Sequence, residues 1–295
     1  MHNQPLLPDN FSAASRLQSQ PMSAIKHVLA IAGSDPSGGA GIQADIKAIS
    51  ANGAYAMAAI TALTAQNTCG VRGVQLVAPA FVTAQIDAVF EDIRVDAVKI
   101  GMLGSPEITL AVAEALTRHR ARCIVLDPVM VAKGGDRLLS EAAIRTLIER
   151  LLPLATILTP NLPEAAALLD EPEPTDPQAM PALAERLLAL GPRAVLLKGG
   201  HLSGAASPDY LATADGGIWL EAARIPTKNT HGTGCTLSSA LAAQLAMGAE
   251  PRVAARTAKA YVAGAIAQAD GLEVGQGQGP THHFHALWNG LQRSG

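Results

Sequence analysis

The segment Thr227-Lys228-Asn229-Thr230-His231-Gly232-Thr233-Gly234-Cys235-Thr236 crowds glycine, hydroxyl, amide and lysine residues together. It opens directly onto an Ala/Leu-rich helical pattern. Glycines let a backbone approach a ligand closely, and the unpaired N–H groups of a helix start point at an anion. The helix dipole adds roughly half a positive charge at that end. A plain N-cap after an ordinary turn is the simpler reading, but it needs fewer glycines and polar residues than stand here. Neither G-x-x-x-x-G-K-[ST] nor G-x-G-x-x-G occurs in the chain, so this anion site is of another kind.

Further chemistry-bearing residues fall at or just beyond the ends of short apolar runs. Asp127 precedes Pro128, Asn161 and Glu164 form an N-x-x-E spacing, and Lys198 precedes Gly199-Gly200. A carboxylate pair can hold hydrated Mg²⁺, which prefers oxygen ligands and keeps water. A lysine can neutralise phosphate. Taken singly, each has a plainer role: Asp127 and Glu164 as helix caps, Lys198 as a solvated rim residue. Their joint placement at strand ends, where α/β sheets gather ligands, favours the functional reading.

Short runs apolar on both faces recur at 27–32, 56–63, 95–100, 122–126, 156–158 and 193–197, as buried parallel strands do. Helical patterns alternate with them, at 42–51, 79–93, 107–120, 141–152 and 180–190. That alternation predicts a mostly parallel sheet covered by helices on both faces. Residues 209–225, turning at Asp215-Gly216-Gly217, read as an antiparallel hairpin closing the sheet edge. Two further helices, about 233–247 and 252–269, follow. The proline-rich, acidic stretch 171–177 reads as a surface connection. With no internal repeat and no boundary, one domain over 25–295 is expected, preceded by a disordered tail over 1–24. Met22 is an alternative start.

Composition excludes several function classes. The formal net charge is −3 and aromatics make up 3%, with no Lys/Arg run, so no nucleic-acid surface is expected. Cys69, Cys123 and Cys235 form no paired spacing, which fits a reducing compartment and no disulfide framework. No segment reads as a signal peptide or a membrane span. The expected location is the cytoplasm. His282, His283 and His285 resemble a metal cluster, but closely spaced histidines near a terminus are more often surface residues.

The first strand runs into Gly33-Ser34-Asp35-Pro36-Ser37-Gly38-Gly39-Ala40-Gly41, whose glycine spacing is wrong for a dinucleotide loop. On the following helix Ile42, Ile46 and Ile49 mark the buried stripe. Asp45 lies about 60° from Ile42, at the stripe's edge, where an acid is usually a solvated rim residue. Gln66, in Gln66-Asn67-Thr68, reads as a turn residue.

The segments GSDPSGGAGIQAD, TALTAQNTCGV, KIGMLG, VLDPVM, TPNLPEAAALL, LLKGGH and KNTHGTGCTLSSALAA stand in order, with GPTHHFHALW near the end. Together they resemble the hydroxymethylpyrimidine/phosphomethylpyrimidine kinases of thiamine biosynthesis, within the ribokinase-like superfamily, from about Ile25 to the C-terminus. The resemblance implies a single-domain, three-layer α/β/α sandwich. It implies ATP-dependent phosphorylation of 4-amino-5-hydroxymethyl-2-methylpyrimidine to its monophosphate and then to the diphosphate, with Mg²⁺. It places Asp45 and Gln66 against the pyrimidine and Met102 in its pocket. A 4-aminopyrimidine edge offers a donor beside an acceptor, and a carboxamide answers both.

The same resemblance assigns an anion hole to the amides of Gly232, Thr233, Gly234 and Cys235. Asp127 and Glu164 position Mg²⁺ through water, with Asn161 beside them. Lys198 and Thr227 approach the nucleotide phosphates, and Lys259 is a further nucleotide-side candidate. Sugar kinases of this fold place an aspartate base where Cys235 stands. A helix N-terminus can lower a thiol below its ordinary ~8.5, so a Cys235 thiolate could accept the substrate proton. Base catalysis also matters little in a loose phosphoryl transfer, which would leave Cys235 an amide donor. Relatives are commonly dimers, so a homodimer is expected. Alternatives are a pyridoxal or pyridoxine kinase, whose substrate also carries a hydroxymethyl group, and a non-catalytic pyrimidine sensor.

Overall fold

The computed structural model describes residues 24–130 and 139–291, with side chains to 288. The expected tail, Ala24 excepted, and Met22 lie outside the described residues. Strand β1 (His27–Ala32) is buried on both faces and alternates cleanly between them. Leu29 and Ile31 enter one core, while Val28, Ala30 and Ala32 enter the other. Successive strand side chains point to opposite faces, so a strand apolar throughout must be covered twice.

The covering follows. One face carries α2 (Pro79–Asp92), α3 (Pro106–Arg118), α4 (Glu141–Arg150), α5 (Leu162–Leu169) and α6 (Met180–Leu188). The other carries α1 (Gly41–Ala51), α7 (Thr233–Ala246) and α8 (Pro251–Ala267). A short α9 (His285–Leu291) ends the described chain. Each fully buried Leu or Ile in these layers contributes about 2–3 kcal/mol.

The remaining strands are β2 (Tyr55–Ile60), β5 (Ala97–Ile100), β6 (Ile124–Leu126), β7 (Ile157–Leu158), β8 (Ala194–Lys198), β9 (Asp209–Thr213) and β10 (Gly216–Leu220). The eight-stranded sheet has the order β10-β9-β8-β7-β6-β5-β1-β2. From β8 to β2 every pairing is parallel; β9 and β10 are antiparallel, as the hairpin signal predicted. From β1 the chain passes to β2 on one side and returns at β5 on the other. That reversal opens a crevice at the carboxyl ends of the strands, where open α/β sheets bind ligands.

Two expectations fail. The apolar run at 56–63 is not one strand: Thr61 N–H bonds Ala32 O and ends β2. The chain then leaves the sheet as a separate ribbon of β3 (Ala62–Asn67) and β4 (Gly70–Leu76), with a bulge between Ala65 and Gln66. Helix α1 is also rotated from its expected face. Ile46 is 37% exposed, and Asp45 is fully buried between Ile42 and Ile49.

Candidate active site

One cavity of about 840 Å³ opens over the carboxyl ends of the strands. Gly33, Met102, Asp127, Asn161 and Lys198, which follow or end β1, β5, β6, β7 and β8, all line it. The anion turn closes one side. Gly232 caps α7 in the left-handed region (φ 74°), and a Cβ there would overlap Gly39 O of the loop after β1. Only glycine fits both demands. A Cβ on Gly234 would sit 3.2 Å from Lys198 Nζ and 3.4 Å from Asp127 Oδ2, so the turn lies against the charged group.

Lys198 Nζ donates to Asp127 Oδ1 at 2.9 Å and lies 3.9 Å from Glu164 Oε2. Burial opposes the charge on Lys198, but the two carboxylates outweigh it and raise the lysine to about 12. Burial, with the charge of Asp127 adding and Lys198 opposing, pushes Glu164 up to about 7. Glu164 also serves α5: its Oε2 accepts from Asn161 N–H at 2.8 Å, and Asn161 Oδ1 accepts from Glu164 N–H at 2.8 Å. This reciprocal cap is the N-x-x-E signal in the sequence. Glu164 is thus a helix cap that also lines the cavity.

Among the described residues no group of three or more His, Cys, Asp or Glu could hold a metal. Asp127 and Glu164, both lining the cavity beside Lys198, offer oxygen donors only. That donor set fits Mg²⁺, which takes its other ligands from water and nucleotide phosphates.

Gln66 and Met102 also line the cavity. Gln66 is not a turn residue; it is the last but one residue of β3 and lies 3.4 Å from His231 Nε2. His231 Nε2 in turn lies 2.8 Å from Asp35 Oδ2. Burial resists the charge on Asp35, but hydrogen bonds from His231 and Ser37 and the nearby imidazole hold it down at about 2. The sequence alone does not mark His231 or Asp35 as site residues, although both lie in glycine-bearing motifs.

Asp45 does not reach the cavity. Its oxygens accept from Lys99 Nζ at 2.7 and 2.9 Å and from Ser239 Oγ at 2.8 Å, with both Asp45 and Lys99 wholly buried. Thus neither the solvated-rim reading nor direct contact with a ligand matches its position. The pair lies one layer behind the wall, tying α1, β5 and α7. Burial resists the charge on Lys99, but Asp45, with Cys235 and Asp127 further off, raises it above its ordinary value.

Other expectations are corrected in the same way. Thr227 lies outside the cavity lining, its Oγ1 donating to Asp270 Oδ1 at 2.5 Å. Lys259 lines the cavity, but its Nζ is held by Asp209 Oδ2 at 2.6 Å and Ser207 O at 2.7 Å. The thiol of Cys235 is not lowered by the helix start. Burial pushes it up to about 11, and Lys99 offsets this only in part. His283 is no surface residue: it is 5% exposed and shares a hydrogen bond with Thr236 Oγ1 at 3.1 Å. No helix among the described residues is long and apolar enough to cross a membrane.

A family profile described as phosphomethylpyrimidine kinase matches residues 35–282. The hydroxymethylpyrimidine/phosphomethylpyrimidine kinase of Salmonella typhimurium is 58% identical over 262 residues, covering 89% of this chain and 98% of its own. Among solved structures, a phosphomethylpyrimidine kinase of Clostridium difficile superposes with a TM-score of 0.72 at 45% identity, over 82% of this chain and 99% of that one. A pyridoxal kinase of Bacillus subtilis, solved as an ADP complex, gives 0.83 at 36% identity, over 89% and 99%. The three-layer sandwich expected from the motifs is therefore the ribokinase-like fold these relatives share. With one profile spanning most of the sequence and a relative this similar along nearly its whole length, the chain belongs to the phosphomethylpyrimidine kinase family.

Proposed function

We propose that the chain phosphorylates 4-amino-5-hydroxymethyl-2-methylpyrimidine with ATP, and then phosphorylates the monophosphate to the diphosphate, in thiamine biosynthesis. The observation that carries this is the single cavity joining the Gln66–Met102 end to the Gly232–Cys235 turn. A small heterocycle at one end and a triphosphate at the other would meet inside it. In the first step the hydroxymethyl oxygen forms a bond to the γ-phosphorus as the bond to the ADP oxygen breaks. The hydroxyl proton leaves to a phosphoryl oxygen or water. In the second step a phosphate oxygen of the monophosphate is the nucleophile.

The chain's own part is positioning and charge stabilisation. The amides of Gly232, Gly234 and Cys235 are assigned to the transferred group, while Thr233 N–H bonds Thr230 O at 3.3 Å; Lys198 neutralises the group from beside Gly234. Asp127 and Glu164 are the residues that would hold Mg²⁺ through water, with Asn161 at their side; the ion neutralises phosphate charge when bound. Cys235 is assigned its backbone amide, because burial pushes its thiol up to about 11 and disfavours the thiolate. Gln66 and Met102 hold the pyrimidine, and Asp45 supports the wall by holding Lys99. The reaction belongs in the cytoplasm, where ATP is held and the three free cysteines stay reduced. Exposed Leu63, Val74 and Leu76 on the β3–β4 ribbon support a homodimer, which sedimentation tests.

A coupled ATPase assay with hydroxymethylpyrimidine, its monophosphate and pyridoxal tests the reading. Turnover of the first two supports it. The superposition on pyridoxal kinase favours one rival, and turnover of pyridoxal alone would install it. No turnover with any acceptor would leave a binding protein.

A further inference from the structure

Gln66 is a carboxamide, and its two ends have the same shape. The protons around it decide which end faces which neighbour. One neighbour is His231 Nε2, at 3.4 Å. That nitrogen also lies 2.8 Å from Asp35 Oδ2. Asp35 is buried, and it accepts from Ser37 N–H, Ser37 Oγ–H and Ala40 N–H at 2.7–2.9 Å, the environment of an ionised carboxylate. A carboxylate only accepts, so His231 carries its proton on Nε2. That nitrogen therefore cannot accept from Gln66.

The second neighbour is Thr64 Oγ1, at 3.5 Å. Its single proton goes to Ser34 O at 2.9 Å, and Ser34 Oγ accepts from Thr64 N–H at 3.0 Å. Toward Gln66 the hydroxyl therefore offers a lone pair. Both neighbours give the same answer. The amide oxygen belongs beside His231, and the amide nitrogen belongs beside Thr64. One N–H and one lone pair then remain for the cavity, in a fixed order.

We propose that His231, clamped by Asp35, is a positioning residue that fixes the donor and acceptor ends of Gln66 and so sets which heterocycle edge the cavity selects. The edge it selects is an amine beside a ring nitrogen, in one orientation. This rests on the reading that Gln66 faces the acceptor. His231 directly precedes the anion turn, Asp35 lies in the loop after β1, and Gln66 is on the ribbon. The clamp thus joins three site elements through side chains.

The test has two arms. In His231→Phe the ring stays and the proton is lost. The ratio of kcat/KM for hydroxymethylpyrimidine over pyridoxal should fall by about tenfold or more, with KM for ATP unchanged. Thr64→Val, which removes the other anchor, should move the ratio the same way. An unchanged ratio in both variants overturns the proposal, because a merely structural loss would lower both substrates together. In the second arm, ¹⁵N NMR of the wild-type protein should show His231 protonated at Nε2. A neutral ring protonated only at Nδ1 overturns it, even if His231→Phe does not fold. If the wild-type protein turns over no pyrimidine, the substrate reading fails, while the NMR result still judges the clamp.

Discussion

Removing one partner of the Asp45–Lys99 pair should damage the protein far more than removing both. Both side chains are wholly buried, and Lys99 Nζ is held by Asp45 at 2.7 and 2.9 Å. In Lys99→Met, Asp45 would keep only the Ser239 hydroxyl as a side-chain donor. Leaving a buried charge without its partner costs about 3–5 kcal/mol. For a domain of this size each kcal/mol moves Tm by roughly 2–4 °C, so the loss should be on the order of 10 °C. Asp45→Asn should cost a similar amount, because it strands the ammonium. The double variant replaces the pair with neutral groups of similar volume and should recover most of the loss. Denaturant unfolding of the four proteins gives a coupling free energy, expected above about 2 kcal/mol. If Lys99→Met stays within about 1 kcal/mol of wild type, or the two losses simply add, the pair is not the buried tie described.

Gly232→Ala should lose activity by about a hundredfold or more, since its φ of 74° and its approach to Gly39 O both exclude a Cβ; kcat at saturating substrate checks this. Burial, with Lys47, His282 and His285 adding, lowers His283 to about 3, so the unfolded chain takes up a proton near pH 6.5 that the folded chain refuses. Stability due to this group is present above pH 6.5 and is lost as pH falls toward 3, by about 1.4 kcal/mol per unit, and His283→Gln should remove that slope. Alkylation at pH 7.5 should label exposed Cys69 well before Cys235, which mass mapping would show.

The sheet was legible because its central strands are short, apolar on both faces and bounded by turn residues. The bounds of β1 agree with the reading, and the Gly-rich hairpin lies at a sheet edge as expected. The β3–β4 ribbon was missed because its inner half continues the apolar run of β2, and only a long-range bond at Thr61 divides them. Asp45 was misplaced for a related reason. The wheel angle left it at a border, and its partner Lys99 lies 54 residues further on, beyond any local pattern. The residues around the anion turn were legible because each sits beside a glycine or a proline that marks a strand end. Cys235 shows the limit of that reading: helix position argued for a lowered thiol, and burial, which only the packed structure reveals, decided otherwise.

The contact between Gly232 and Gly39 has a kinetic meaning. The loop after β1 and the turn before α7 touch backbone to backbone, with no side chain between them. Bringing two reactants together in solution costs translational and rotational freedom, and an enzyme lowers the barrier by settling that cost before the chemistry. Here the separation of the two loops is set at folding. The nucleophile and the phosphorus would then meet at a high effective molarity, and small bulk added at either glycine would be read out as lost encounter geometry.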